Sequence, residues 1–366
     1  MKSNTPYRFI FAGGGTGGHL YPAIAVAQQI RALKPEAEIL FVGTKEKIEA
    51  RVVPANGFSF KTIWISGFAR KINVKNLLFP LKVVVSLIQS LGINLNFKPR
   101  VAIGTGAYVA GPVIWGASVT GAKVILLEQN SYPGITNRLL EKKAEEIHLT
   151  FEDSKQYFRD KSKLKVTGNP VRINLQLMDK TESRKKFGIY GNGKVLLVLG
   201  GSLGAKALNE AVADSIKELT ELGVAVIWQA GPAYYETYKE LQSPTVKIFP
   251  FIEDMSAAFS ACNLMLARSG ATTIAEAANL GLPVIFVPSP NVAANHQYMN
   301  AKSIVDGGAA VMIEDKNLKK ELVEKTVSLI NDDTRLEELK NRIKKFANSN
   351  AAEIIAKRAI QLAETV

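Results

Sequence analysis

Residues 7–33, YRFIFAGGGTGGHLYPAIAVAQQIRAL, decide the fold. The run 7–12 is almost wholly apolar, the pattern of a strand covered on both faces. It breaks into Gly13-Gly14-Gly15-Thr16-Gly17-Gly18-His19, and a stretch of helical length follows from about Pro22 to Leu33. Strand, glycine loop and helix open a βαβ unit. Further apolar runs at 39–42, 58–65, 101–104, 123–127, 146–150 and 163–166 repeat the strand signal, with helix-length segments between most of them. The charged, glycine-containing stretch 179–193 interrupts the series. It restarts at 195–199 and continues through 224–229, 246–250, 264–267, 284–287 and 309–313. Beyond Lys316 the chain reads as helical. The pattern predicts an α/β protein of two Rossmann-like, doubly wound parallel-sheet domains, residues 1–172 and 173–349, with the boundary between about 168 and 193. Ligands of such sheets sit at the carboxyl ends of strands, so two sheets facing each other leave a cleft lined by those ends.

Length and composition agree. At about 150 residues per domain, 366 residues suit two domains, and 47% hydrophobic with 22% charged residues is ordinary for a folded globular chain. A single cysteine, Cys262, excludes an intramolecular disulfide and a cysteine-rich metal site. The apolar run before the first glycines is shorter than the roughly 7–15 residues of a signal peptide. No apolar run approaches the roughly 20 residues of a spanning helix. The longest candidate, 77–88, is interrupted by Pro80, Lys82 and Ser86. The expected location is therefore cytoplasmic. The net charge of +13 is one-sided: residues 1–172 hold 24 Lys and Arg against 11 Asp and Glu, and residues 173–366 hold 22 against 22.

The chemistry-bearing motifs follow strands. Gly13, Gly15 and Gly18 satisfy the dinucleotide spacing G-x-G-x-x-G, but that reading needs an acid ending the second strand. Here the strand ends Phe41-Val42-Gly43-Thr44. A plain tight turn explains two glycines and leaves three over. Bare backbone at a helix start suits a phosphate or another polar ligand in close approach. His19, one of three histidines, sits at this junction. The loop Gly200-Gly201-Ser202-Leu203-Gly204-Ala205 repeats the arrangement, with a diphosphate as the expected guest. In Arg268-Ser269-Gly270-Ala271-Thr272-Thr273-Ile274-Ala275-Glu276, small residues open a helix, and Glu276 among apolar neighbours suits the two hydroxyls of a ribose. Weaker signals are His296-Gln297, Gly104-Thr105-Gly106-Ala107-Tyr108, Glu128-Gln129-Asn130 and Gly168-Asn169-Pro170-Val171-Arg172. Asp-x-Asp, H-E-x-x-H, Cys/His clusters and the P-loop are all absent. No metal and no cofactor are expected. Aromatic residues are 8% and do not interleave with the basic ones, so nucleic acid is not an expected partner.

Eight segments in order resemble the MurG family of N-acetylglucosaminyltransferases: GGGTGGHLYPAIAVA, GTGAYVAGP, LEQN, GNPVR, GGSLGA, FIEDM, RSGATTIAE and HQYMNA, spanning residues 13–301. The resemblance implies GT-B architecture, with a C-terminal helix at about 350–366 returning to the first domain. It implies inverting transfer of GlcNAc from UDP-GlcNAc to the lipid I acceptor, the first domain taking the acceptor and the second the donor. Carried over residue by residue, donor contacts fall to Thr16, Gly17, Gly18, Asn130, Arg172, Ser202, the backbone of Ile252, Arg268, Ala271, Thr272, Thr273, Ile274, Ala275, Glu276 and Gln297. Acceptor contacts fall to Gly14, Gly15, Tyr108 and Asn169. Three positions depart from the family pattern: Leu203 where Gln is common, Leu127 where His is frequent, and Ala107 where Gly is usual.

Two groups compete as general base. His19 has the residue type whose ordinary pKa, about 6.5, suits proton transfer near neutrality, and Glu128 at a strand end is the alternative. A UDP-GlcNAc 2-epimerase is the rival enzyme, but it gives no reason for the one-sided charge. A non-enzymatic sugar-nucleotide-binding subunit is the third possibility. From Ala50 to Leu127 there is no Asp or Glu and there are nine Lys and Arg. Within that span Lys75, Leu77, Leu78, Phe79 and Lys82 read as a shallow interfacial patch for an anionic membrane surface, making the protein peripheral on the cytoplasmic face.

Overall fold

The computed structural model describes residues 7–67, 78–172, 175–292 and 295–365. The chain divides into two compact units, residues 1–173 with 348–366, and residues 174–347.

In the first unit seven parallel strands lie in the order β3-β2-β1-β4-β5-β6-β7. They are β1 (Arg8–Ala12), β2 (Glu38–Gly43), β3 (Ser59–Thr62), β4 (Val101–Gly104), β5 (Lys123–Glu128), β6 (Glu146–Leu149) and β7 (Leu164–Val166). Their helices are α1 (Gly17–Leu33), α2 (Glu49–Ala55), α3 (Phe79–Phe97), α4 (Ala107–Val119) and α5 (Ile135–Leu140). Central strands are buried on both faces, as their unbroken apolar runs require. The second unit carries six parallel strands in the order β10-β9-β8-β11-β12-β13. These are β8 (Lys194–Leu199), β9 (Val224–Gln229), β10 (Val246–Phe249), β11 (Leu264–Ala267), β12 (Val284–Phe286) and β13 (Val311–Met312). Helices α6 (Lys180–Lys186), α7 (Lys206–Glu221), α8 (Tyr235–Tyr238), α9 (Met255–Ala261), α10 (Ala271–Leu280), α11 (His296–Asp306), α12 (Leu318–Ile330) and α13 (Asp333–Ile343) accompany them.

The last helix, α14 (Ala351–Glu364), belongs to the first unit. Its Ile355, Ala356, Ala359, Ile360 and Ala363 share a buried cluster with Phe9, Phe11 and Ile30. Arg358 on this helix clasps Glu146 of β6, and His148 Nε2 lies 3.3 Å from the same carboxylate. His148 beside it and the Arg358 guanidinium hold the Glu146 carboxyl down at about 2.

Two sequence expectations change. Helix α1 begins at Gly17, ahead of Pro22, so Pro22 lies inside it and His19 in its first turn. From Phe79 the apolar run is not broken into short pieces: Pro80 sits in the first turn of α3, where a missing N–H costs nothing, and the helix continues for 19 residues. Helix α3 is long and apolar enough to cross a membrane by length and composition. It buries a seam of Ser86, Ser90 and Asn94, which lie on one helix face. Asn94 Nδ2 donates to the carbonyls of Ser90 (2.8 Å) and of Val113 on α4 (3.2 Å).

Candidate functional site

Both sheets change direction at their centres, between β1 and β4 and between β8 and β11. Those are the switch points at which an α/β sheet opens a crevice. The four glycine-bearing motifs at 13–18, 104–108, 200–205 and 268–276 all begin at the carboxyl ends of these four strands.

In the first unit, packing explains two of the loop's glycines and backbone conformation a third. A Cβ on Gly13 would stand 1.7 Å from Thr105 Oγ1, and one on Gly14 would stand 2.5 Å from the Glu49 carboxyl carbon. Gly15 has φ +78. Gly18 has no such neighbour: the nearest atom to its Cβ position is Thr16 Oγ1 at 3.8 Å. Thr16 is exposed and Gly17 buried. His19 is half-buried, and its Nδ1 lies 2.8 Å from the Thr105 carbonyl and 3.0 Å from Gln129 Oε1. Gln129 Nε2 donates to the Leu127 carbonyl, which fixes that amide's orientation. Both neighbours of Nδ1 are acceptors, so Nδ1 carries the hydrogen and Nε2 of the neutral ring keeps its lone pair.

Glu128 is buried, and four contacts occupy its carboxylate. Oε1 accepts from Asn130 N (3.0 Å) and Nδ2 (3.4 Å). Oε2 accepts from Gly134 N (3.0 Å) and Asn137 Nδ2 (2.8 Å). Burial pushes this carboxyl above its usual range, against those hydrogen bonds and the nearby His19. Its oxygens hold the 128–134 loop together.

Sequence reasoning missed Glu49. This buried residue opens α2 and accepts from Gly15 N (2.9 Å), Thr44 N (3.1 Å) and Thr44 Oγ1 (2.8 Å). The acid absent from the end of β2 is thus supplied a short way beyond it, turned under the glycine loop. Thr105 Oγ1, after β4, donates to the His19 carbonyl (2.8 Å). Burial raises the Tyr108 phenol above its usual range, and the Glu49 charge adds to the effect. Through Glu49 and Thr105, hydrogen bonds therefore join the segments after β1, β2 and β4. Ala107, where glycine is usual, has φ +62 and carries left-handed strain. The Arg172 guanidinium lies 4.9 Å over the Tyr21 ring of α1, and Asn169 is buried.

In the second unit the 200–205 loop packs on the turn after β9. A Cβ on Gly204 would meet the Ala230 carbonyl at 2.0 Å, whereas Gly201, at φ +88, faces open space. Ser202 is half-buried. Gln229, which the sequence reading does not single out, ends β9. Its Oε1 accepts from Ile252 N (2.8 Å) and its Nε2 donates to the Gly201 carbonyl (3.0 Å). Ala271, Ile274 and Glu276 are buried in α10, while Thr272, Thr273 and Ala275 are half-buried. Gln297 Oε1 accepts from Ser289 N (2.9 Å), and Ser269 Oγ donates to the Gln297 carbonyl (2.8 Å). Arg268 is engaged within its own unit, where its guanidinium pairs with Asp315 and donates to the carbonyls of Val287 (3.1 Å) and Pro288 (3.2 Å).

Two family models match the two halves. The glycosyltransferase family 28 N-terminal domain covers residues 9–149, and the family's C-terminal domain covers residues 195–357. The chain belongs to glycosyltransferase family 28. Among similar members is the UDP-N-acetylglucosamine--N-acetylmuramyl-(pentapeptide) pyrophosphoryl-undecaprenol N-acetylglucosamine transferase of Flavobacterium psychrophilum, 43% identical over 98% of each chain. The protein of the same name from Acetivibrio thermocellus is 38% identical over 95% of this chain and 96% of its own. The crystal structure of Acinetobacter baumannii MurG superposes with a TM-score of 0.75 at 26% identity, covering 98% of this chain and 100% of that one. The UDP-GlcNAc 2-epimerase from Neisseria meningitidis, TM-score 0.67 at 15% identity over 98% of this chain and 100% of its own, shares the fold. The GT-B fold of family 28 is the one seen here.

Of the residues expected to form a membrane patch, Lys75 and Leu77 lie outside the described residues. Leu78 is exposed and Phe79 half-buried. Lys82 Nζ donates to Ser66 Oγ (3.0 Å) and lies 5.5 Å over the Trp64 ring. The apolar surface runs further than the sequence suggests: Leu81, Val84, Ile88 and Leu95 of α3 are also exposed, Ile88 at 65%.

Proposed function

We infer that this chain transfers GlcNAc from UDP-GlcNAc to the C4 hydroxyl of MurNAc-pentapeptide on undecaprenyl diphosphate, converting lipid I to lipid II. The observation that carries the reading is similarity of 38–43% along nearly the whole chain to proteins named for that transfer. The first unit takes the acceptor and the second the donor. The acceptor hydroxyl gives its proton to His19 Nε2 as its oxygen attacks C1 of GlcNAc. The C1–O bond to the β-phosphate breaks, and UDP leaves with the electron pair, so the configuration at C1 inverts. The fixed tautomer of His19 supports its role as base. Glu128, with both oxygens engaged, acts as a positioning group. The leaving diphosphate is stabilised without a metal by N–H groups of the 200–205 loop, the start of α7 and Arg172. Arg268 is not needed for this, being paired with Asp315.

Labelled UDP-GlcNAc with a short-chain lipid I analogue tests the reading. Disaccharide product is expected, unaffected by EDTA, and His19→Ala should lower kcat by roughly 10²–10⁴. Epimerised sugar nucleotide, or no product, overturns it. A His19→Ala enzyme that loses only in KM removes His19 as base.

The chain also sits peripherally on an anionic membrane through α3. A helix with a polar seam inward and Leu81, Val84 and Ile88 outward, in a stretch without acids, supports this. Binding to anionic vesicles should exceed binding to neutral ones and weaken with salt. Equal binding at every salt concentration would sink the electrostatic part of the idea.

A further inference from the structure

We propose that Gln229 is a positioning residue for the donor: its carboxamide couples the diphosphate loop to the segment at Ile252, and an amide is required because the guest is an anion. The inference rests on reading the second unit as the UDP-GlcNAc unit.

Gln229 ends β9, the strand between β8 and β10 in the sheet. The segments leaving those two neighbours carry Gly201 and Ile252. One buried side chain reaches both, accepting from Ile252 N at 2.8 Å and donating to the Gly201 carbonyl at 3.0 Å. Gly201 has no side chain of its own and nothing within 4 Å of its Cβ position. Its φ of +88 turns the loop backbone. The Gln229 bond holds that peptide from beneath.

The two partners fix the chemistry. One is a donor and the other an acceptor, so the bridging group must accept at one end and donate at the other. A carboxylate of the same length keeps the Ile252 bond. It then sets an oxygen against the Gly201 carbonyl and places a negative charge behind the loop whose N–H groups face the diphosphate. Alanine keeps neither bond and leaves the buried Ile252 N–H without its partner.

The experiment is titration of the full-length protein with UDP and with uridine, for wild type, Gln229→Ala and Gln229→Glu, alongside steady-state kinetics. Gln229→Ala should raise the UDP Kd and the donor KM roughly 10–30-fold. Kcat and the acceptor KM should stay within about threefold, a split that general loss of structure would not give. Gln229→Glu should weaken UDP at least as much and uridine distinctly less, because uridine lacks the diphosphate. If the alanine variant melts, the near-isosteric glutamate variant decides. A Gln229→Glu protein that binds UDP like wild type, or that loses uridine and UDP equally, overturns the proposal. A wild type that binds no UDP overturns the donor-unit reading itself and this inference with it.

Discussion

The two units anchor their strand-end loops with different chemistry. In the first, buried carboxylates take up loop N–H groups: Glu49 holds Gly15 and Thr44, Glu128 holds Asn130 and Gly134, and Glu141 holds the amides of Arg159 and Asp160. In the second, amides fill that role: Gln229 holds Ile252 and Gly201, Gln297 holds Ser289, and Asn263 Oδ1 accepts from Val195 N at 2.9 Å. Among the described residues the first unit buries Glu49, Glu128, Glu141 and Glu146, and the second buries only Glu276 among its acids. A carboxylate is the stronger acceptor for a backbone N–H. Its charge is tolerable in a unit whose net balance is +13 and would be unwelcome in the unit proposed to hold a diphosphate. Glu276 is the exception, and the proposed reading assigns it to a ribose diol.

The sharpest way to break this comparison is Glu276→Ala. If the lone buried acid of the second unit serves the nucleotide, UDP binding should weaken by roughly 10–150-fold, the loss of about 1.5–3 kcal/mol for a charge-assisted hydrogen bond. UDP and UDP-GlcNAc should suffer alike. An unchanged Kd in a folded variant would make Glu276 one more internal anchor.

Glu49→Gln is the counterpart in the first unit. An amide turns one acceptor into a donor, facing either Gly15 N–H or the Thr44 donors. The loop bearing His19 should shift, and kcat should fall roughly 10–100-fold with UDP affinity unchanged. Activity within about twofold of wild type would show that charge is not what this anchor requires.

The smallest effect concerns acid stability. The Glu146 carboxyl is ordinarily near 4.5 and lies at about 2 in the fold, so its stabilising contribution is complete above 4.5 and disappears as pH falls toward 2. Glu128 runs the other way, since burial raises its carboxyl and its ionisation opposes folding. Glu146→Gln should flatten the low-pH decline in Tm of the first unit, followed through protection of α14. A decline identical to wild type would mean that the His148 and Arg358 contacts together contribute nothing measurable.

Strand positions and the doubly wound parallel class were legible because parallel strands carry unbroken apolar runs separated by helix-length segments. The ends of β4, β9 and β11 fall where the pattern put them. What sequence could not give was direction. The outward face of α3 was hidden because apolar residues occur all round it; only the regularly spaced Ser86, Ser90 and Asn94 marked the inner seam. Glu49 was hidden by distance, lying 34 residues from the amide it anchors. Gln229 looked like an ordinary strand terminus, since its two partners lie 28 residues before it and 23 residues after it along the chain.

The return of α14 to the first unit imposes an order on how the chain is made. Phe9 and Ile30 are among the earliest core residues to leave the ribosome, yet Ile355, Ala359 and Ala363, which complete their cluster, are among the last. The second unit, residues 174–347, is by contrast one uninterrupted segment. During synthesis it can close its core while the amino-terminal unit still lacks a wall, so the half made first is the half finished last.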